Sequence, residues 1–146
     1  MKTKDLLESL ELSTFTAFDF ETTGLDPNND RIIELAAIRF EHGEIVDRFV
    51  TLINPEIEIP PLITEITGIS NEMVRKSPKE DSIVDDFLNF LDKYPLVAHN
   101  IHFDEQFLSR ICSKHNKKEN SFVKYDTLQL ARSLLFEQPV FNLSAL

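Results

Sequence analysis

The pattern of apolar positions changes character near Asn54. Before it, short runs rich in β-branched and aromatic residues predict strands; after it, helical spacing dominates. Thr14 to Thr22, Arg31 to Phe40 and Glu44 to Ile53 are the three predicted strands. His42-Gly43 supplies a tight hairpin turn between the last two, and Thr23 to Asp30 is a turn-rich connection between the first two. Together they predict an antiparallel meander. Asn54 to Pro61 carries three prolines and alternates Glu with Ile, which predicts an extended surface connection. Short helical pieces are predicted over Leu62 to Ile66 and Asn71 to Lys76. After Pro78, Lys79 to Leu91 gathers Ile83, Val84, Phe87, Leu88, Phe90 and Leu91 on a helical apolar face. Pro95 to His99 reads as a short strand. A helix follows from about Phe103 to His115, with Phe103, Phe107, Leu108 and Ile111 at helical spacing. Thr127 to Leu135 predicts a further helix, and Asn142 to Leu146 the opening of another. A meander followed by strand–helix units predicts an α/β fold, a mixed sheet with helices packed on it.

Composition narrows the class without changing that picture. At 146 residues, with 42% hydrophobic and 27% charged positions, the chain is expected to form one soluble domain with a single sizeable core. One cysteine, Cys112, excludes an internal disulfide and a cysteine-rich zinc site, and its helical apolar setting predicts a small core residue. The chain opens without an apolar leader and has no apolar run long enough to span a bilayer, so cytoplasmic residence and no membrane partner are expected. The net charge of −10 argues against broad electrostatic binding to nucleic acid. It leaves room for an enzyme that grips phosphates through metal ions. The acids of Lys79-Glu80-Asp81 and Asp85-Asp86 read as solvated helix faces.

Candidate chemistry begins at Asp19-Phe20-Glu21. Residues two apart project from one side of a strand, so these carboxylates leave it side by side, where repulsion disfavours joint ionisation. A divalent cation relieves that repulsion, and hard oxygen ligands suit magnesium or manganese. The plainer alternative is a strand end whose acids reach solvent. Val97 to Asp104 repeats the logic: a short apolar strand ends in polar residues, and an acid falls in the first turn of a helix. Alone, Asp104 is explained by the helix dipole. Paired with Asp19 and Glu21, it completes a carboxylate pocket for two cations.

These residues carry a resemblance. Asp19-Phe20-Glu21-Thr22-Thr23-Gly24, followed by Ala98-His99-Asn100-Ile101-His102-Phe103-Asp104, resembles the first two motifs of the DEDD 3′→5′ exonucleases. The proofreading subgroup, typified by the epsilon subunit of bacterial DNA polymerase III, is the nearest in pattern. Ile32 to Ala37, Asp47-Arg48-Phe49, Asn54-Pro55, Ile63 to Ile69 and Asp126-Thr127-Leu128 extend the similarity over nearly the whole chain. The resemblance implies a ribonuclease-H-like fold with a five-stranded mixed sheet flanked by helices. It implies that Asp19, Glu21 and Asp104 bind two divalent cations, Mg2+ or Mn2+, against the 3′ end of single-stranded DNA. It implies that Ile66, Thr67 and Gly68 contact the terminal nucleotide, that Thr22, Thr23, Gly24 and Leu25 line its pocket, and that Asn100 and Phe103 flank it. Core packing for Phe103, turn roles for Thr22 and Thr23, and a helix stop at Thr67-Gly68 explain those residues equally well.

The resembled family also has a third motif, a histidine five residues before a fourth metal-binding aspartate, expected beyond Leu146. None of His42, His99, His102 or His115 is assigned that role, and Asp126 reads as a helix cap. The expectation is therefore a domain that is C-terminally incomplete and weakly active or inactive, since a general base is worth about 10²–10⁴ in rate. Three readings compete: a 3′→5′ exonuclease releasing nucleoside 5′-monophosphates; a non-catalytic module binding a polymerase or a nucleic-acid end; and an RNA-directed exonuclease. A DNA polymerase subunit, or a fused helicase or polymerase, is the expected partner.

Overall fold

The structure, a computed structural model, describes residues 12–119 and 123–135 together with Asp5, Glu8, Ser9, Val140 and Asn142. The helix expected to open at Asn142 lies outside the described residues, Asn142 itself apart.

β1 (Thr14–Thr22), β2 (Ile32–Glu41) and β3 (Glu44–Leu52) form the predicted antiparallel meander. The turn between β2 and β3 holds both His42 (φ 51°) and Gly43 (φ 89°) at positive φ, as a two-residue hairpin twisted with its strands requires. Asp19 faces Ala36 across the β1–β2 ladder, and Glu21 faces Glu34. β4 (Leu96–Ala98) joins β1 in parallel and β5 (Lys124–Asp126) joins β4 in parallel, giving the order β3-β2-β1-β4-β5. β5 is three residues long, too short to show any alternation of its own.

The helices are α1 (Pro61–Thr67), α2 (Asn71–Val74), α3 (Glu80–Leu91), α4 (Ile101–Lys114) and α5 (Thr127–Leu134). α1 stops at Gly68, whose left-handed φ of 75° turns its N–H back onto the Thr64 carbonyl at 2.8 Å. α4 starts before the position its apolar spacing suggests, because Asn100 (φ 59°) turns the chain from β4 almost directly into the helix.

One sheet face carries the main core. Phe18, Phe20 and Leu35 pack against Val84, Phe87 and Leu91 of α3 and Phe107, Leu108 and Ile111 of α4. Burial of each such side chain stabilises the fold by roughly 1.5–3 kcal/mol. Cys112 is buried there, as its setting predicted. A second cluster joins Ile33, Ile59, Ile69 and Val74. Ile59 belongs to the segment read as a surface connection; the Glu–Ile alternation there turns Ile59 inward beneath α2 while Glu58 stays exposed.

The Lys79-Glu80-Asp81 run also departs from expectation. Glu80 is not on a solvated face: Arg110 donates to its Oε2 at 2.6 Å and Lys114 to its Oε1 at 3.1 Å. The acidic start of α3 thereby meets the cationic end of α4, each sign at the helix end whose dipole favours it.

Strand alternation leaves Ala17, Asp19 and Glu21 on the opposite sheet face, beside Ile38, Ala36 and Glu34 of β2. Ala17, Asp19, Ala36 and Ile38, with Val97, His99 and Thr127, line an open, mostly apolar groove of about 270 Å³.

Candidate metal and nucleic-acid site

β1 outruns its parallel neighbour. The β1–β4 register pairs Thr16 with Leu96 and Ala17 with Val97, and β4 ends at Ala98. Beyond that point the β1 edge needs another partner, and α4 supplies one: the Phe20 N–H donates to Asp104 Oδ1 at 3.0 Å. Phe20 lies between Asp19 and Glu21, so the Asp104 carboxylate is held against the backbone that joins the other two acids. Asp104, Phe107, Leu108 and Ile111 follow the i, i+3, i+4, i+7 spacing of the core-facing side of α4. Asp104 therefore occupies a core position, 2% exposed.

An acid in such a place resists ionisation. Burial, then the Asp19 charge, pushes the Asp104 carboxyl up to about 7, against the pull of the Phe20 N–H. Burial also raises Glu21, with Asp19 and Glu34 adding repulsion. Asp19 is raised by the same loss of hydration, although its surface is open to the groove; nearby His99 pulls the other way. Glu34 is raised by burial and then by Asp19. Glu21 and Glu34 face one another directly across the ladder, an arrangement that is destabilising for like charges. Among the described residues, no hydrogen bond or salt bridge reaches the carboxylates of Asp19, Glu21 or Glu34. Acids that raise one another by repulsion are the hard oxygen donors that suit a divalent metal.

A second acidic group contrasts with this one. The ligating atoms of Glu80, Asp81 and His115 lie within 4.8 Å of one another, closer than those of Asp19, Glu21 and Asp104. Yet Lys114 bonds both acids and Arg110 bonds Glu80, so that group already holds its cations. Its compactness reflects neutralised charge.

The residues expected around the terminal nucleotide divide. Thr22 Oγ1 donates to the Gly24 carbonyl at 2.6 Å, and Thr23 Oγ1 donates to Asp30 while accepting from the Arg31 N–H. Both hydroxyls thus act within the turn, leaving Leu25, 81% exposed, as its projecting side chain. Ile66 is 70% exposed on α1. The Thr67 hydroxyl closes the helix end, donating to the Ile63 carbonyl and accepting from the Ile69 N–H. Phe103 is half-buried against Phe107, with ring centroids 5.2 Å apart. Asn100 is exposed, and its N–H donates to Asp126 Oδ1, which also accepts from the Leu128 N–H as the N-cap of α5.

The structure adds Glu34 and His99 to the surroundings of Asp19, which the sequence reading did not place there. Glu34 arrives through strand register, and His99 through the turn between β4 and α4. Neither left a local pattern to read. His42 does precede Asp47 by five residues, but it stands at the far end of β1 from Asp19, and Asp47 pairs with Arg39 at 3.3 Å.

Residues 16–146 match the family model described as Exonuclease. The chain belongs to the exonuclease family. This exonuclease chain is 44% identical over 127 residues to the DNA polymerase III PolC-type of Thermotoga petrophila, covering 87% of this chain and 9% of that protein. It is 42% identical over 120 residues to DNA polymerase III subunit epsilon of Treponema pallidum, covering 82% of this chain and 56% of that one. The chain thus spans a small part of the PolC-type relatives and little more than half of the epsilon subunit. Among solved structures, E. coli exonuclease I in complex with a dA16 oligonucleotide superposes with a TM-score of 0.76 at 23% identity, over 87% of this chain and 31% of that chain. That likeness is one of fold: the five-stranded mixed sheet with helices is the ribonuclease-H-like arrangement. Exonucleases of this family generally use divalent metal ions. No helix of the described residues is long and apolar enough to cross a membrane.

Proposed function

We propose that this chain carries a DNA-proofreading type 3′→5′ exonuclease activity that hydrolyses phosphodiester bonds from the 3′ end of single-stranded DNA and releases nucleoside 5′-monophosphates. The observation that carries the reading is the bond from Phe20 N–H to Asp104, which gathers three costly acids on one strand edge. Asp19, Glu21 and Asp104 would hold two ions, Mg2+ or Mn2+. Bound there, the ions would supply a nucleophilic water at neutral pH and charge stabilisation for the leaving oxygen. The chain's own part is geometric. β1 fixes Asp19 and Glu21 at strand spacing, α4 brings Asp104 to the stretch of β1 beyond the end of β4, and the projecting Leu25 and Ile66 offer apolar surface to an unpaired base. The names of the relatives support a DNA substrate and association with a replicative polymerase. The third-motif base and the fourth carboxylate belong to the same proposal but have no counterpart assigned within residues 1–146.

The test pairs binding with activity. Manganese titrated into the chain should bind, and a 5′-labelled oligodeoxynucleotide should shorten slowly from its 3′ end. Asp19→Ala should lose both, with hydrolysis down at least about a hundredfold, the scale on which electrostatic stabilisation of a transition state acts. Hydrolysis surviving that change at the wild-type rate would remove the mechanism. Faster cleavage of an oligoribonucleotide would redirect the substrate class to RNA.

A further inference from the structure

The turn between β1 and β2 is organised around one carboxylate that the proposed chemistry does not use. Thr23 Oγ1 donates to Asp30 Oδ1 at 3.0 Å, and the Asp26 N–H donates to Asp30 Oδ2 at 2.9 Å. Between these two anchors the carboxylate lies against Gly24. A Cβ at Gly24 would stand 2.6 Å from Asp30 Cγ and from Oδ1, nearer than real Cβ contacts come. The φ of Gly24 is not in the left-handed region, so the requirement there is space for Asp30 rather than backbone freedom. Arg31 closes the base of the turn. Its N–H donates to Thr23 Oγ1 at 2.9 Å, its carbonyl accepts the Thr23 N–H at 2.8 Å, and its guanidinium donates to the Asn29 and Asp30 carbonyls, each at 3.0 Å. Asp26 secures the tip by accepting the Asn28 N–H at 2.9 Å.

Asp30 therefore touches Thr23, Gly24 and Asp26, the residues that bracket Leu25. Leu25 itself makes the turn's exposed apolar projection, four residues past Glu21 in the chain. We propose that Asp30 is a positioning residue for the proposed exonuclease: by clamping Thr23, Gly24 and Asp26 it fixes Leu25 and the backbone of 22–25 beside the acids, as a pre-formed edge for the terminal nucleotide. The inference rests on the exonuclease reading and deepens it. Ordering a loop on binding weakens association, and a turn already ordered by internal hydrogen bonds avoids that loss. Removing the clamp should therefore act on substrate seating and leave the metal site alone.

The experiment uses the full chain, Mn2+, and a fluorescein-labelled oligodeoxynucleotide whose terminal linkage is a phosphorothioate to slow cleavage. Asp30→Ala should weaken oligonucleotide binding about tenfold while manganese affinity from calorimetry stays at the wild-type value. Asp30→Asn should recover most of the loss, since its carbonyl can accept the Asp26 N–H and its amide can donate to Thr23 Oγ1. Gly24→Ala should weaken binding in the wild-type background by displacing the carboxylate, yet add nothing to Asp30→Ala, a coupling that unrelated sites would not show. If Asp30→Ala does not fold, the Gly24→Ala and Asp30→Asn variants carry the test. Wild-type oligonucleotide affinity in Asp30→Ala overturns the inference and leaves the exonuclease reading standing. So does a parallel fall in manganese and oligonucleotide affinity, which would mark a general structural loss. A wild-type chain that binds manganese but no oligonucleotide overturns the exonuclease reading, and this inference with it.

Discussion

Asp104 bears an acid at a position the core would otherwise fill with an apolar side chain, and without metal its ionised form destabilises the fold. Its folded-state carboxyl is raised to about 7 from an ordinary 3.8. A raised carboxyl contributes stability in full below the unfolded value and loses it as pH rises through the folded one. Other acids in the chain titrate too, so the informative quantity is the difference between wild type and Asp104→Asn. The asparagine keeps an oxygen for the Phe20 N–H and removes the charge. In chelator, the two should melt together near pH 4, and Asp104→Asn should become progressively more stable up to about pH 7 and hold a constant lead above it. Each kcal/mol is worth roughly 2–4 °C of Tm at this chain length, so a lead of several degrees is expected. Saturating Mn2+ should raise the wild-type Tm by ligand linkage and leave the variant nearly unmoved. Equal melting at pH 8 in chelator would show that Asp104 is not the strained acid its burial indicates.

At the level of elements, the junction of α3 and α4 makes an independent prediction. Burial by itself would raise the Glu80 carboxyl, but the Arg110 hydrogen bond and charge, with those of Lys114, outweigh it and hold the group below the usual carboxylate range. Stability from such a group is present above the unfolded carboxyl value and disappears as pH falls through the lowered folded one. Glu80→Ala leaves a half-buried Arg110 without its partner and should cost about 1.5–3 kcal/mol, the range for hydrogen bonds to charged groups. Thermal or denaturant unfolding measures it. Manganese binding should not change, because Glu80 bonds Arg110 and Lys114 rather than any of Asp19, Glu21 or Asp104. The same elements show what the chain reveals of its fold before folding. β1 to β3 are long enough for their composition and turns to declare them, and the core faces of α3 and α4 follow from apolar spacing. β5 did not announce itself, because Lys124-Tyr125-Asp126 has no alternation and exists only through its pairing with β4. Ile59 and Glu80 were misread for one reason: their partners, Ile33 and Arg110, are distant in sequence, and a local window cannot see them. At the site, the shared side of Asp19 and Glu21 follows from strand alternation and the first-turn place of Asp104 from the strand-to-helix pattern, while its burial came only with the packing of α4. Glu34 needed the register of β2, and the inward commitment of the Thr22, Thr23 and Thr67 hydroxyls needed the turns themselves.

For the whole molecule, the charge distribution decides how a polyanion can be held. The net charge is −10, and many cations are already paired internally: Arg39 with Asp47, Lys79 with Glu56, Arg110 with Glu80, Lys117 with Asp85, and Lys124 with Glu105. Arg31 is turned back into its own loop. With a net charge of −10 and these cations engaged, the chain should hold a DNA end at few phosphates, and those through the metals. Each phosphate neutralised by a cationic side chain on a single strand contributes about −0.7 to the slope of log K against log salt. Oligonucleotide binding at fixed Mn2+ should therefore show a slope no steeper than about −1.5 between 50 and 300 mM salt, and chelator should abolish it. Affinity should also be nearly the same for a short oligonucleotide and a long one, because a chain of net charge −10 attracts additional phosphates weakly. Anisotropy titrations across salt and length measure both. A slope of about −3 or steeper that persists in chelator would mean that the acids at Asp19, Glu21 and Asp104 are not what holds the DNA, and that a cationic surface elsewhere on the chain does.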